Sequence, residues 1–138
     1  MDNIYLIGDV DEQMLKEFYA QLTGCTGPIN VIVSSYGGDV YVGLALYDAL
    51  RSYSTLVSRV TVTALGQCMS AASQILLQAG DHRVAAPNTQ IMVHYGHEES
   101  ESPAAVKHNR RLTKLMTDLL ISRTGAPKRT VTAWLAKE

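Results

Sequence analysis

Two runs of β-branched, apolar residues constrain this chain more than any other feature. Ile29 to Val33 (INVIV) and the Val- and Thr-rich stretch Leu56 to Leu65 each lead into a glycine turn and then a segment with helical spacing. INVIV is apolar at nearly every position, as in a strand buried on both faces. Strands that alternate with helices pair in parallel, because the helix carries the chain back across the sheet. The expected architecture is therefore α/β, with a largely parallel sheet covered by helices.

The remaining elements follow the same rhythm. Asn3 to Ile7 is β-prone and closes at Gly8 and Asp9. Asp11 is placed to cap a helix through about Thr23, where Met14, Leu15, Phe18 and Leu22 recur at helical spacing. Gly27-Pro28 breaks that segment before INVIV. After Gly37-Gly38 a helix is expected from about Val40 to Ser52. Gly66 is read as the end of the Leu56–Leu65 strand, with a helix from about Met69 to Gln78. Arg83 to Ala86 and Gln90 to His94 read as short strands around the Pro87-Asn88 turn. Ser102 and Pro103 open a helix to about Arg123, with Leu112, Leu115, Met116 and Leu119 as its apolar stripe. Gly125 stops it, and a last helix from near Pro127 is expected to be still running at Glu138.

The chain has 138 residues, which suits a single domain over 1–138. With 46% hydrophobic and 18% charged residues, it has the composition of a packed globular protein. A formal net charge of −1 gives no basic footprint for nucleic acid. Charge clusters locally, as HEESE at His97 to Glu101 and as Lys107, Arg110, Arg111 and Lys114; a solvated loop and the polar face of a helix account for both. Cys25 and Cys68 lack metal-ligand spacing and fit a reducing cytoplasmic setting. No signal peptide is read at the N-terminus, and no apolar run reaches the roughly 18 residues of a membrane span.

Two strand-to-helix turns carry chemical potential. Tyr36-Gly37-Gly38-Asp39 lets the backbone approach a ligand and turns N–H groups outward at a helix start, which suits a phosphate, a carboxylate or an oxyanion. It equally fits an ordinary tight turn. In Gly66-Gln67-Cys68-Met69-Ser70-Ala71-Ala72-Ser73, Ser70 fits a cap, a packing residue or a nucleophile that needs a base. His94, at the expected strand end, fits that base or a structural histidine; His82, His97 and His108 lie in more polar surroundings. In a parallel sheet, successive strand ends converge on one edge, where these three features together would form a catalytic site.

Those segments resemble one family. Gly37-Gly38 in SSYGGDVYVGLALYDAL, Gly66 to Ser70 in GQCMSAAS and Pro87 to His94 in PNTQIMVH match, in order and spacing, motifs of the proteolytic subunit of the Clp protease (ClpP). The match runs from Ile4 to about Arg123. The resemblance implies a ClpP/crotonase-like fold of repeated β-β-α units with a handle helix, here Ser102 to Arg123, and with HEESE replacing part of a handle strand. It implies Ser70 as nucleophile and His94 as general base. The oxyanion hole would involve Gly37, Gly38 and Ala71, with the N–H groups of Gly38 and Ala71 as donors and Gly37 shaping the turn. A peptide or unfolded protein would be the substrate and a homo-oligomeric ring the assembly, with no metal, no other cofactor, no nucleic acid and no membrane. A Clp-type ATPase is the partner the family implies, although the first expected strand begins at Asn3, so its docking loops are expected to be missing.

The chain departs from the pattern in places. Ser34 and Tyr36 stand where the family has asparagine and proline, and the segment around Ser70 is more similar to bacteriophage Clp-like peptidases, some of which mature the phage head. Aligning Thr124-Gly125 with the family's Thr-Gly puts Trp134 or a neighbour where the catalytic aspartate belongs. Thr130 to Lys137 contains no carboxylate, so the third catalytic residue is unassigned. The family's remaining C-terminal strand and helix have no counterpart in these residues. Besides a serine endopeptidase, the sequence admits a catalytically impaired ring subunit, or a crotonase-type enzyme acting on acyl-thioesters.

Overall fold

The computed structural model describes residues 1–95 and 102–137, so the HEESE loop and Glu138 lie outside the described residues. The chain divides into two compact units, Met1–Met92 and Val93–Glu138, each described here by itself.

The first unit is a five-stranded parallel sheet with its helices. Its elements are β1 (Asp2–Ile7), α1 (Glu12–Leu22), β2 (Ile29–Ser35), α2 (Val40–Leu56), β3 (Val60–Met69), β4 (His82–Ala85) and β5 (Gln90–Met92). The order is β1-β2-β3-β4, and β5 also pairs with β3. β4 pairs with Thr61 to Ala64 and β5 with Gln67 to Met69, so the two lie end to end along one side of β3. The parallel sheet expected from the alternation is present throughout.

Side chains of period two set its faces. Ile4, Leu6, Val31, Val33, Val62 and Ala64 point into one core with Met14 and Phe18 of α1 and Leu46 and Leu50 of α2. On the other face Tyr5, Ile32, Thr63 and Val84 stand in register and are exposed or half-buried. β2 is thus fully buried on one face only, not on both; Asn30 and Ser34 supply the polar positions of the other. β1 is an edge strand, and its outward rung is occupied: the Gln21 carboxamide accepts from Tyr5 N–H at 2.7 Å and donates to Tyr5 C=O at 3.0 Å.

Helix starts follow the sequence closely. Asp11 Oδ1 accepts from Met14 N–H at 2.9 Å, and Asp39 Oδ1 accepts from Tyr41 and Val42 N–H, capping α1 and α2. The boundary between α2 and β3 lies elsewhere. α2 continues to Leu56, and β3 begins at Val60 and runs on through Gly66 to Met69. Gly66, at φ +71, is a kink within the strand rather than its end. Pairing with β2 is interrupted after Val33 and resumes at Ser35–Cys68. In place of a regular helix from Met69, the chain turns at Ser70 and winds through a π-helical turn, Ala72–Leu76, and a 3-10 turn, Leu77–Ala79. β5 stops at Met92, so His94 follows two residues after the strand rather than ending it.

In the second unit α3 (Pro103–Thr124) is capped by Ser102, whose Oγ accepts from Ala105 N–H, and stops at Gly125 in the left-handed conformation. Lys107, Arg110, Arg111 and Lys114 are exposed on it, as its polar face requires. Its buried stripe is Met116, Thr117 and Leu120, so of the four expected core residues only Met116 is fully buried. α4 (Lys128–Ala136) packs Val131 and Leu135 against Leu120 and ends at Ala136, ahead of the expected Glu138. Tyr95 N–H donates to Leu135 C=O at 3.1 Å. No helix among the described residues is long and apolar enough to cross a membrane, and none of their His, Cys, Asp or Glu side chains gather in threes around a metal position.

Candidate active site

The two glycine-bearing turns meet in the first unit. β2 and β3 are neighbours, so the turn after Ser35 lies beside the turn after Met69. A Cβ on Gly37 would stand 2.9 Å from Met69 O, 2.9 Å from Ser70 Cβ and 3.4 Å from Ala71 N. The absent side chain at Gly37 is therefore what lets the Ser70 turn close against it. Gly38 is fixed from the other side. Val10 N–H donates to Gly37 C=O at 2.9 Å and Asp39 N–H to Val10 C=O at 2.8 Å, so these bonds bracket Gly38. In such a parallel bridge the bracketed residue's own N–H points away from the partner strand.

Ser70 has φ +54, and it is the one non-glycine residue among those described with a positive φ. A left-handed serine between a strand and a helix presents its side chain on a sharp elbow, a geometry that exposes nucleophiles in other α/β enzymes. Its backbone is held on both sides. Ser70 N–H donates to Met92 C=O at 2.9 Å, and Ser70 C=O accepts from Ser73 N–H at 3.1 Å and Gln74 N–H at 2.8 Å. Ala71 N–H belongs to the first helical turn, where no preceding carbonyl is available to pair it. Gly37 N–H is used differently: it donates to the buried Ser35 Oγ at 3.1 Å, which fits Gly37 to shaping the turn.

The structure thus brings Gly37, Gly38, Ser70 and Ala71 together. His94 belongs to the second unit and is half-buried two residues beyond Met92. Trp134 is 40% exposed on α4, which has no carboxylate from Thr130 to its end. Of the other histidines, His82 is exposed on β4, His108 lies on α3, and His97 is outside the described residues. Sequence reasoning missed the local supports: Ser35 under Gly37, Val10 beside Gly38, and Ser73, whose Oγ donates to Ser70 C=O and Met92 C=O. The only available signal was a hydroxyl residue next to each turn.

The chain as a whole is similar to known proteins in two comparisons. A family model described as Clp protease matches residues 1–138. An "ATP-dependent Clp protease proteolytic subunit" from Deinococcus radiodurans is 40% identical over 103 residues, covering 69% of this chain and 48% of the relative. The chain spans about half the length of this curated relative.

Proposed function

From the premise that this chain belongs to the Clp protease family, we propose that it is a serine peptidase acting through Ser70 and His94. The observation that carries the reading is the left-handed Ser70 elbow closed against Gly37. Ser70 Oγ attacks the carbonyl carbon of the scissile peptide while His94 takes the hydroxyl proton. The tetrahedral oxyanion accepts hydrogen bonds from Gly38 and Ala71 N–H. On collapse the C–N bond breaks, and the imidazolium gives its proton to the leaving amine. Water then hydrolyses the acyl-enzyme with His94 again as base. A peptide or unfolded segment is the substrate class, and the proposed steps use no cofactor. We include in this reading a homo-oligomeric ring as the assembly.

One observation favours a second reading. The helix that would carry the orienting aspartate offers Trp134 instead, so the chain fits a ring subunit of low turnover. A single experiment separates the two. The purified protein is treated with a fluorophosphonate, and the adduct is located by peptide mass spectrometry. An adduct on Ser70, absent in Ser70→Ala, is the expected result, with turnover of a peptide substrate falling by about 10⁴-fold or more in that variant. His94→Ala should approach the same loss, because nucleophile and base act as a unit. A folded protein that takes no label would overturn the peptidase reading in favour of the low-turnover subunit.

A further inference from the structure

We infer that Ser73 is a positioning residue of this site, its buried hydroxyl tying the nucleophile's own carbonyl to the end of β5. The inference rests on Ser70 being the nucleophile. Ser73 is 1% exposed. Its Oγ lies 3.0 Å from Ser70 C=O and also within hydrogen-bond distance of Met92 C=O. A buried serine in a helix commonly donates back to the carbonyl three or four residues earlier, and the Ser70 contact alone would be that. The second acceptor is different in kind, because Met92 belongs to another strand, and its carbonyl also receives Ser70 N–H. One hydroxyl proton thus serves two carbonyls, and Met92 C=O is touched by both the nucleophile and Ser73.

The arrangement answers a specific need. A non-glycine residue in the left-handed region returns to ordinary backbone geometry unless its surroundings hold it. Ser70 N–H to Met92 fixes one side of the elbow, and Ser73 ties the other side to the same acceptor. Ser73 is itself anchored: Gln78 Nε2 donates to Ser73 C=O at 3.0 Å, and Arg83 of β4 donates to Gln78 Oε1 at 2.7 Å. Removing the hydroxyl orphans neither carbonyl, since each keeps a backbone N–H donor. The fold should survive while the direction of Ser70 Oγ loosens. Met92 also stands two residues before His94 in the chain, so the same acceptor lies on the segment that leads to the proposed base.

The test compares the purified wild-type protein with Ser73→Ala, Ser73→Cys and Ile75→Val. Cysteine fills the serine's space but is a weak donor, and Ile75→Val removes buried packing from the same helix without touching the hydroxyl. Melting temperature, the rate of fluorophosphonate labelling at Ser70, and kcat and KM on a short peptide ester are measured for each. Both Ser73 variants are expected to label on the order of 10- to 100-fold more slowly, the cost of a misplaced reacting group. Their kcat should fall in parallel while KM stays within about twofold, and Ile75→Val should label at the wild-type rate. Ser73 variants that label at the wild-type rate, or a loss shared equally by Ile75→Val, would overturn the positioning role. A wild-type protein that takes no label defeats the reading of Ser70 itself, an outcome distinct from a labelled wild type with unaffected variants.

Discussion

At the scale of single residues the candidate site rests on three unusual backbone conformations. Ser70 sits at φ +54, Gly37 at +108 and Gly38 at +150. The last two are conformations that L side chains rarely adopt, and the space beside them is already occupied. A Cβ on Gly38 would lie 2.4 Å from Val10 O, a contact only backbone movement can relieve. Gly38→Ala should therefore break the bridge to Val10 and swing the Gly38 N–H away from its present direction. The expected result is a loss of peptidase turnover of about 10²- to 10³-fold, the usual effect of deleting one oxyanion donor. Steady-state kinetics beside a thermal melt would check it. A variant with wild-type kcat would show that Gly38 N–H is not an oxyanion donor. Cys68 is irrelevant to this chemistry: it is fully buried, and burial pushes its thiol up to about 12, where the reactive thiolate is scarce at neutral pH.

At the scale of elements, Asp81 joins three parts of the first unit. Its carboxylate accepts from Val60 N–H at 2.9 Å, from Ser54 Oγ at 2.8 and 2.7 Å, and from Arg51 at 2.9 Å, tying α2 to the start of β3 just ahead of β4. Burial alone would raise this carboxyl, but the bonds from Val60, Ser54 and Arg51 and the Arg51 charge outweigh it and lower it to about 2. A depressed carboxylate stabilises the fold at pH values above its unfolded pKa of about 3.9. That contribution should fade as pH falls from about 4 through the folded value of about 2. Urea titrations across this range should show it, with Asp81→Asn flattening the slope. Asp81→Ala leaves Val60 N–H without its acceptor in a buried strand and should cost about 1–3 kcal/mol. The same junction explains where the sequence was legible. Caps at Asp11 and Ser102 depend on a neighbour three residues away, and both were readable. The end of α2 and the start of β3 depend on Asp81, more than twenty residues on, so Ser52 and Leu56 were misplaced as boundaries. Gly66 misled for a related reason: a strand that kinks and resumes pairing looks, residue by residue, like a strand that stops. Ser70, His94 and the glycine pair were legible as residue types in order, whereas the left-handed Ser70 and the Ser73 tether depend on long-range contacts and were not.

At the scale of the whole molecule, stability is concentrated in the middle of the sheet. β2 and β3 each have a strand on both sides, and their inward residues Ile29, Val31, Val33, Val60, Val62 and Ala64 are fully buried. β4 and β5 are exposed at every position. Hydrogen exchange should find the slowest amides at the centre of β2 and β3 and much faster exchange in β4, because local opening follows burial and pairing. Equal protection in β4 and β2 would contradict that gradient. The outer side of β1 has a further consequence. A parallel sheet invites recruitment of foreign strands along any edge with unpaired peptide groups. Here the Tyr5 rung is already filled by a side chain, Gln21, that mimics the backbone of an incoming strand. A polypeptide approaching that edge finds its central docking point taken, so templated polymerisation from β1 must first evict a carboxamide that belongs to the protein's own helix.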